Sequence, residues 1–240
     1  MNKAAIDFQK IEGEIPYWTT FAGRRRVLRR AAFLTELGEI RKGRRVLEIG
    51  CGVGTFTEKL SEKGAQLTAL DISFDFVRKA HLKLDPHARC LVANAMQIPF
   101  SAETFDSVVG SSILHHLNVE ETLKECWRVL RPGGCVALAE PNMLNPQIFV
   151  MKNVPVIKRW MKEDPDETAF IRWRLARTFR QLGFKEVRAF PYDYLHPSIP
   201  RPLVPLIERM GQCFEQIPFI REFAGSLIII AKKPMSDNGG

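Results

Sequence analysis

The chain has 240 residues, 45% of them hydrophobic and 26% charged, and its 35 Lys and Arg against 27 Asp and Glu give a net charge of +8. This ordinary globular composition excludes disordered, collagen-like and fibrous classes. The length suits one large α/β domain, or a core domain with a small appendage, and no apolar run approaches the roughly 20 residues of a membrane span.

The first residues, MNKAAIDFQKIEGE, lack the continuous apolar stretch of a secretory signal. Residues 20–45 then hold nine basic side chains against two acidic ones, whereas 46–140 hold nine against twelve, so the basic excess lies outside the middle of the chain. Within it, 24–37 (RRRVLRRAAFLTEL) alternates arginines with apolar residues near helical spacing and predicts an amphipathic helix ended by Gly38. A strand over 45–49 (RVLEI) runs into the glycine-rich GCGVG, and a helix follows to Gly64. The pattern continues as a strand over 66–70, a helix (SFDFVRKAHLKL) before Pro86, a strand over 89–93, a strand over 105–111, a helix over 119–130 stopped by RPGG, and a strand over 135–140. Strands and helices alternating in this way predict βαβ units in a parallel, doubly wound sheet, with ligands at the carboxyl ends of the strands. Beyond 140 the regularity weakens. A loop with a short helix is expected over 142–160, a long Arg-rich helix over 167–182, and strands over 185–190 and 225–232. The proline-rich stretch between those strands is too long for a hairpin connection. The five cysteines, at irregular spacing and with no C-x-x-C, predict neither a disulfide framework nor a metal site, and they suit a reducing cytoplasmic setting.

Five elements carry the chemistry. Glu48-Ile-Gly50-Cys51-Gly52-Val-Gly54 follows a strand and opens a helix, where glycines allow a tight turn and exposed N–H groups favour an anionic group. Asp71 ends the next strand, where a carboxylate can accept both hydroxyls of a ribose. Asn94-Ala95-Met96 follows the third strand, where a small polar residue can read an adenine edge. The strand FDSVVGS leads into Ser112-Ile-Leu-His115-His116, and Arg128-Val-Leu-Arg131-Pro-Gly-Gly turns into the fifth strand.

In this order and spacing the five elements resemble the class I S-adenosylmethionine (SAM)-dependent methyltransferases, over roughly 40–140 and the last two strands. More narrowly they resemble the small-molecule branch, methyltransferase type 11, which contains the ubiquinone and menaquinone methyltransferases. The resemblance implies a Rossmann-like α/β sandwich: a seven-stranded, mostly parallel sheet, helices on both faces, and a lid insertion before the last strand. A single domain 1–240 would divide into an N-terminal helix and lid (1–40), the SAM-binding core (41–140), the C-terminal half of the sheet (141–190 and 225–233) and the insertion (191–224). The implied cofactor is SAM, with S-adenosylhomocysteine as product. Gly50, Cys51, Gly52 and Gly54 would shape the loop around its methionine part, with Glu48 supporting the loop through hydrogen bonds to backbone. Asp71 would hold the ribose, with Ile72 against the adenine. Asn94 and Ala95 would meet the adenine edge, Met96 would stack nearby, and the Ser111 backbone would accept from the SAM amino group. The family often has an acidic residue where this chain has Asn94, whose amide oxygen could still accept from adenine.

The implied reaction is methyl transfer to a small acceptor, a lipophilic one included, at O, N or C. A tRNA or RNA methyltransferase and a non-catalytic SAM-binding protein are the alternatives. His116 is the candidate general base, against a reading in which both histidines only pack beside the cofactor. Tyr17, Glu140, Asn142, Tyr192, Tyr194 and His196 are candidate acceptor contacts, each with a purely structural alternative, and Trp18 could close over the cofactor beside Tyr17. The Arg-rich helix would face water, nucleic-acid phosphate or an anionic membrane surface.

Overall fold

A computed structural model of the chain describes residues 15–154 and 168–235. Seven strands form one sheet: β1 (Arg45–Ile49), β2 (Gln66–Asp71), β3 (Arg89–Val92), β4 (Phe105–Ser111), β5 (Leu130–Pro141), β6 (Lys185–Tyr192) and β7 (Ser226–Lys232), in the order β3-β2-β1-β4-β5-β7-β6. β1 to β5 run parallel, and β7 lies antiparallel to both β5 and β6. Eight described α-helices surround it: α1 (Ile15–Thr19), α2 (Phe21–Leu37), α3 (Thr55–Ser61), α4 (Phe74–Leu84), α5 (Val119–Val129), α6 (Pro146–Asn153), α7 (Arg172–Gln181) and α8 (Val204–Gln216). This is the seven-stranded, mostly parallel sandwich that the resemblance implies. The chain leaves β3 at one edge and returns to β4 on the other side of β1, so a crevice opens at the carboxyl ends of β1 and β4.

The sheet carries a core on each face. β7 shows why: Leu227, Ile229 and Ala231 pack with Leu123, Val129 and Phe179 of α5 and α7, while Ile228 and Ile230 pack with Leu34, Leu60 and Leu84 of α2, α3 and α4. A strand covered on both faces needs apolar residues at both parities, hence the unbroken LIII run.

Several boundaries differ from expectation, each for a local reason. α2 starts at Phe21 because Thr20 caps it, its Oγ1 accepting from Gly23 N at 2.9 Å. α5 stops at Val129, and the RPGG segment is itself the start of β5, with a register shift against β4 between Phe105 and Ser107. β6 continues through Pro191 to Tyr192, since an edge strand tolerates a residue without an N–H. The Arg-rich helix begins at Arg172, because Asn142 and Phe170 form a β-bridge just before it; Glu167 and residues 155–160 lie outside the described residues.

Candidate functional site

The turn after β1 closes on β2. Gly50 N and Cys51 N both donate to Leu70 O, at 2.8 and 3.0 Å, and Gly52 N donates to Asp71 Oδ2 at 2.9 Å. Gly54 N donates back to Cys51 O. These four N–H groups are spent within the chain, those of Gly50, Cys51 and Gly52 because the neighbouring parallel strand and its terminal carboxylate lie within reach. Gly50 has φ 70°, and a Cβ there would sit 2.4 Å from Ile113 Cγ1, so no larger residue fits. Asp71 Oδ1 accepts from Ser73 N at 3.0 Å. Burial raises the Asp71 pKa, opposed by its backbone N–H donors. Burial likewise pushes the Cys51 thiol up, with Glu48 and Asp71 adding, so it is no nucleophile at neutral pH.

Beside this turn lies a cavity of about 610 Å³, inside the about 300–1,000 Å³ range of small-molecule pockets. Gly50, Cys51, Gly52, Asp71, Ile72, Asn94, Ala95, Met96, Ser111 and His116 all line it. Four elements far apart in sequence thus meet on one surface. The same cavity is also lined by residues outside the candidate set: Arg24, Val27 and Leu28 of α2, Phe56 and Lys59 of α3, and Ser112. Trp18 rather than Tyr17 lines the cavity, its ring edge-on to Phe56 at 5.4 Å; Tyr17 is exposed. Val27 and Leu28 have no signature of their own, since apolar residues at helical spacing suit a core equally well. Asn94 Oδ1 accepts from Met96 N at 2.9 Å. Because a backbone N–H can only donate, this fixes the amide orientation, and the oxygen keeps a second lone pair for a further donor.

Glu48 and Gly54 do not line the cavity. Glu48 is buried behind the turn, and its Oε2 and Thr57 Oγ1 have no hydrogen-bond partner among the described residues. The expected hydrogen bonding to backbone is therefore not made at that oxygen. Burial raises the Glu48 pKa to about 7, with the Asp71 charge adding and Thr57 opposing. The unfolded state then loses this proton near the ordinary 4.5, before the folded state does. Stability from this group is complete below that value and falls as pH rises toward 7, by about 3 kcal/mol. The variant Glu48→Gln should lack that decline and exceed the wild type at pH 8; parallel denaturant unfolding curves at pH 5 and pH 8 would refute this.

Four candidate acceptor contacts are structural pins. Glu140 Oε1 accepts from Ile113 N and Leu114 N at 3.0 and 2.8 Å, and Oε2 meets His115 Nδ1 at 2.7 Å. Burial alone would raise the Glu140 pKa, but His115 and these N–H groups hold it below the usual carboxylate value. Asn142 is fully buried and donates to Glu222 O and Ala224 O at 2.8 and 2.7 Å. Tyr192 is buried and its hydroxyl accepts from Arg30 Nε. Tyr194 donates to Ile220 O. His196 sits against Gln147, its pKa lowered by burial and by Arg26. None of these five borders the cavity. His116 does, with its ring centroid 4.0 Å from that of His115.

The arginines of α2 point mainly at the connection between β6 and β7. Arg25 pairs with Glu208, Arg26 with Asp193 at 2.7 Å, and Arg29 with Glu215 at 2.8 Å for its Nη1 bond. Arg30 is buried among hydroxyls: Tyr192 at 2.9 Å, Ser111 at 3.1 Å, Ser112 at 2.8 Å and Ser226 at 2.9 Å. The expected choice between water, phosphate and membrane does not describe these four side chains, whose partners belong to the chain itself.

Residues 47–138 match the family described as "Methyltransferase domain". An uncharacterized methyltransferase-like protein of Schizosaccharomyces pombe is 30% identical over 154 residues, covering 62% of this chain and 57% of that protein. A demethylmenaquinone methyltransferase of Corynebacterium urealyticum is 29% identical over 168 residues, covering 62% of this chain and 71% of that protein. Among solved structures, a Haemonchus contortus phosphoethanolamine N-methyltransferase 2 complex with S-adenosylhomocysteine superposes with TM-score 0.64 at 17% identity, over 86% of this chain and 52% of that one. The chain thus spans little more than half the length of the first and last of these. With the matched segment running from β1 into β5, across the glycine turn, Asp71 and the Ser111 strand end, these likenesses support a class I SAM-dependent methyltransferase.

Proposed function

We propose that the protein binds SAM in the cavity and transfers its methyl group to a small, predominantly apolar acceptor. The observation that carries this reading is the meeting of the glycine turn, Asp71, Asn94–Met96 and His116 on one cavity that Trp18, Val27, Leu28 and Phe56 also line. The site fits the cofactor: a side chain at Gly52 would project into open space, so the backbone there can be approached closely, and the Asp71 carboxylate lines the same surface. Asp71 would hold the ribose, Asn94 and Ile72 the adenine, and the Ser111 backbone the amino group. Bound there, SAM supplies a methyl group on a sulfonium, which departs without acid assistance. Glu140 and His115 fix the turn from Ile113 to His116, and the apolar wall excludes water from the acceptor. His116 would take a proton from the acceptor where one must leave.

The engagement of Arg25, Arg26, Arg29 and Arg30 within the chain supports a small acceptor over RNA, because these side chains are not offered to phosphates. The quinone named for the Corynebacterium relative makes reduced demethylmenaquinone the first acceptor to test. With radiolabelled SAM, the label should enter the quinone fraction. His116→Gln should lower kcat about a hundredfold while S-adenosylhomocysteine affinity stays within about threefold. Label recovered in tRNA and in no lipid or small-molecule fraction would overturn the reading.

A further inference from the structure

α8 has two apolar faces, and only one is covered. Val204 and Gly211 are buried, and Ile207 packs with Ala22 and Leu195. Leu206, Met210, Cys213 and Ile217 are exposed and recur at helical spacing on the other side. The two Glu–Arg pairs to α2 turn the helix so that Leu206 and Met210 face outward.

The exposed apolar surface continues past the helix. Phe219 is 75% exposed, with Phe223 5.4 Å away, ring to ring. Asn145 at the start of α6 donates to Phe223 O at 2.8 Å, and Arg172 at the start of α7 donates to Glu222 at 2.8 Å. These bonds hold exposed Phe149 of α6 and Trp173 of α7 beside the same segment.

The part of the chain that carries this surface is basic. Residues 141–154 and 168–235 contain twelve Lys and Arg against five acidic residues. All five acids are paired: Glu208, Asp193 and Glu215 with arginines of α2, Glu222 with Arg172, and Glu186 with Lys232. Because α2 supplies three of those partners, the cations of this half are left in excess, among them exposed Arg174, Arg201 and Arg209. Exposed Leu, Met, Phe and Trp beside arginines, on a chain with no described helix long and apolar enough to cross a membrane, match an element that lies in a lipid interface.

We propose that the outer face of α8, with Phe219 and Trp173, docks on the surface of an anionic lipid bilayer. The apolar side chains enter the acyl boundary and the arginines meet the headgroups. This surface is separate from the cavity and stands independently of which acceptor is methylated.

The test is sedimentation of the full chain with phosphatidylcholine vesicles, with and without phosphatidylglycerol. Partition should be about tenfold or more stronger with phosphatidylglycerol and should weaken with salt. Met210→Glu with Phe219→Glu should lose about tenfold or more of it, with melting temperature and S-adenosylhomocysteine affinity unchanged. If that variant melts early, Arg209→Glu, on the exposed surface, takes its place and should lose about fivefold. Failure of the wild type to bind the mixed vesicles would overturn the proposal. So would a variant that binds as well as wild type, or a solution dimer that the double variant dissolves.

Discussion

Replacing Asp71 with Asn should weaken S-adenosylhomocysteine binding about a hundredfold. The carboxylate has a double task. It accepts from Gly52 N and Ser73 N, which holds the glycine turn to the end of β2, and it lines the cavity where the ribose hydroxyls are expected. The amide of Asn keeps the size but turns one acceptor into a donor, so either Gly52 N or Ser73 N must face another donor. Hydrogen bonds to charged groups contribute about 1.5–3 kcal/mol each. Losing the equivalent of one or two of them gives about 3 kcal/mol, near a hundredfold in affinity. Burial raises the pKa of Asp71, so binding to the wild type should also fade at a higher pH on the acid side than an exposed aspartate would cause. Calorimetric titration of wild type and variant across pH 4 to 8 measures both effects. An affinity within threefold of wild type, in a variant with unchanged melting temperature, would remove Asp71 from the binding site.

The readable parts of this molecule are those whose structure depends on near neighbours. Gly50 must be glycine because its own φ and the residue packed on it require that, and Asp71 marks a strand end because the turn chemistry around it is local. The alternation from β1 to β5 therefore reads directly from the chain, and with it the positions of the cavity-lining motifs. The unread parts depend on partners far away in sequence. Arg29 and Glu215 lie 186 residues apart, and nothing near either one says that they meet. Glu140 and Asn142 sit at the ligand-facing end of β5, where a polar side chain can turn toward a ligand or back toward backbone. Here both turn back, because Ile113, Leu114, Glu222 and Ala224 present backbone groups that would otherwise be buried without partners. The orientation of α8 is of the same kind: apolar on two sides, it is set by Arg25 and Arg29 rather than by its own pattern.

Arg30 shows how much such a long-range partner can carry, and Arg30→Met should be among the most destabilising single changes in the chain. Arg30 is 3% exposed, and its guanidinium joins three regions: Ser111 and Ser112 at the end of β4, Tyr192 at the end of β6, and Ser226 at the start of β7. No carboxylate is among these partners; hydroxyl oxygens and the faces of Trp18 and Phe56, at 5.1 and 5.9 Å, surround the charge. Methionine fills much of the volume but leaves three buried hydroxyls and the half-buried Ser112 to find new partners, at a cost of about 3–4 kcal/mol. In a chain of this size that corresponds to a fall of about 6–16 °C in melting temperature. Lysine keeps the charge but lacks the planar fork that spans acceptors on three sides, so Arg30→Lys should recover less than half of the loss. The effect should extend to ligand binding, because Ser111, Ser112, Trp18 and Phe56 are both partners of Arg30 and walls of the cavity. S-adenosylhomocysteine affinity should therefore drop about tenfold in Arg30→Met at temperatures well below its melting transition. Calorimetric melting and titration of the three proteins measure both quantities. A variant within 1 °C of wild type would show that the hydroxyls re-pair at little cost and that the charge does not organise the wall.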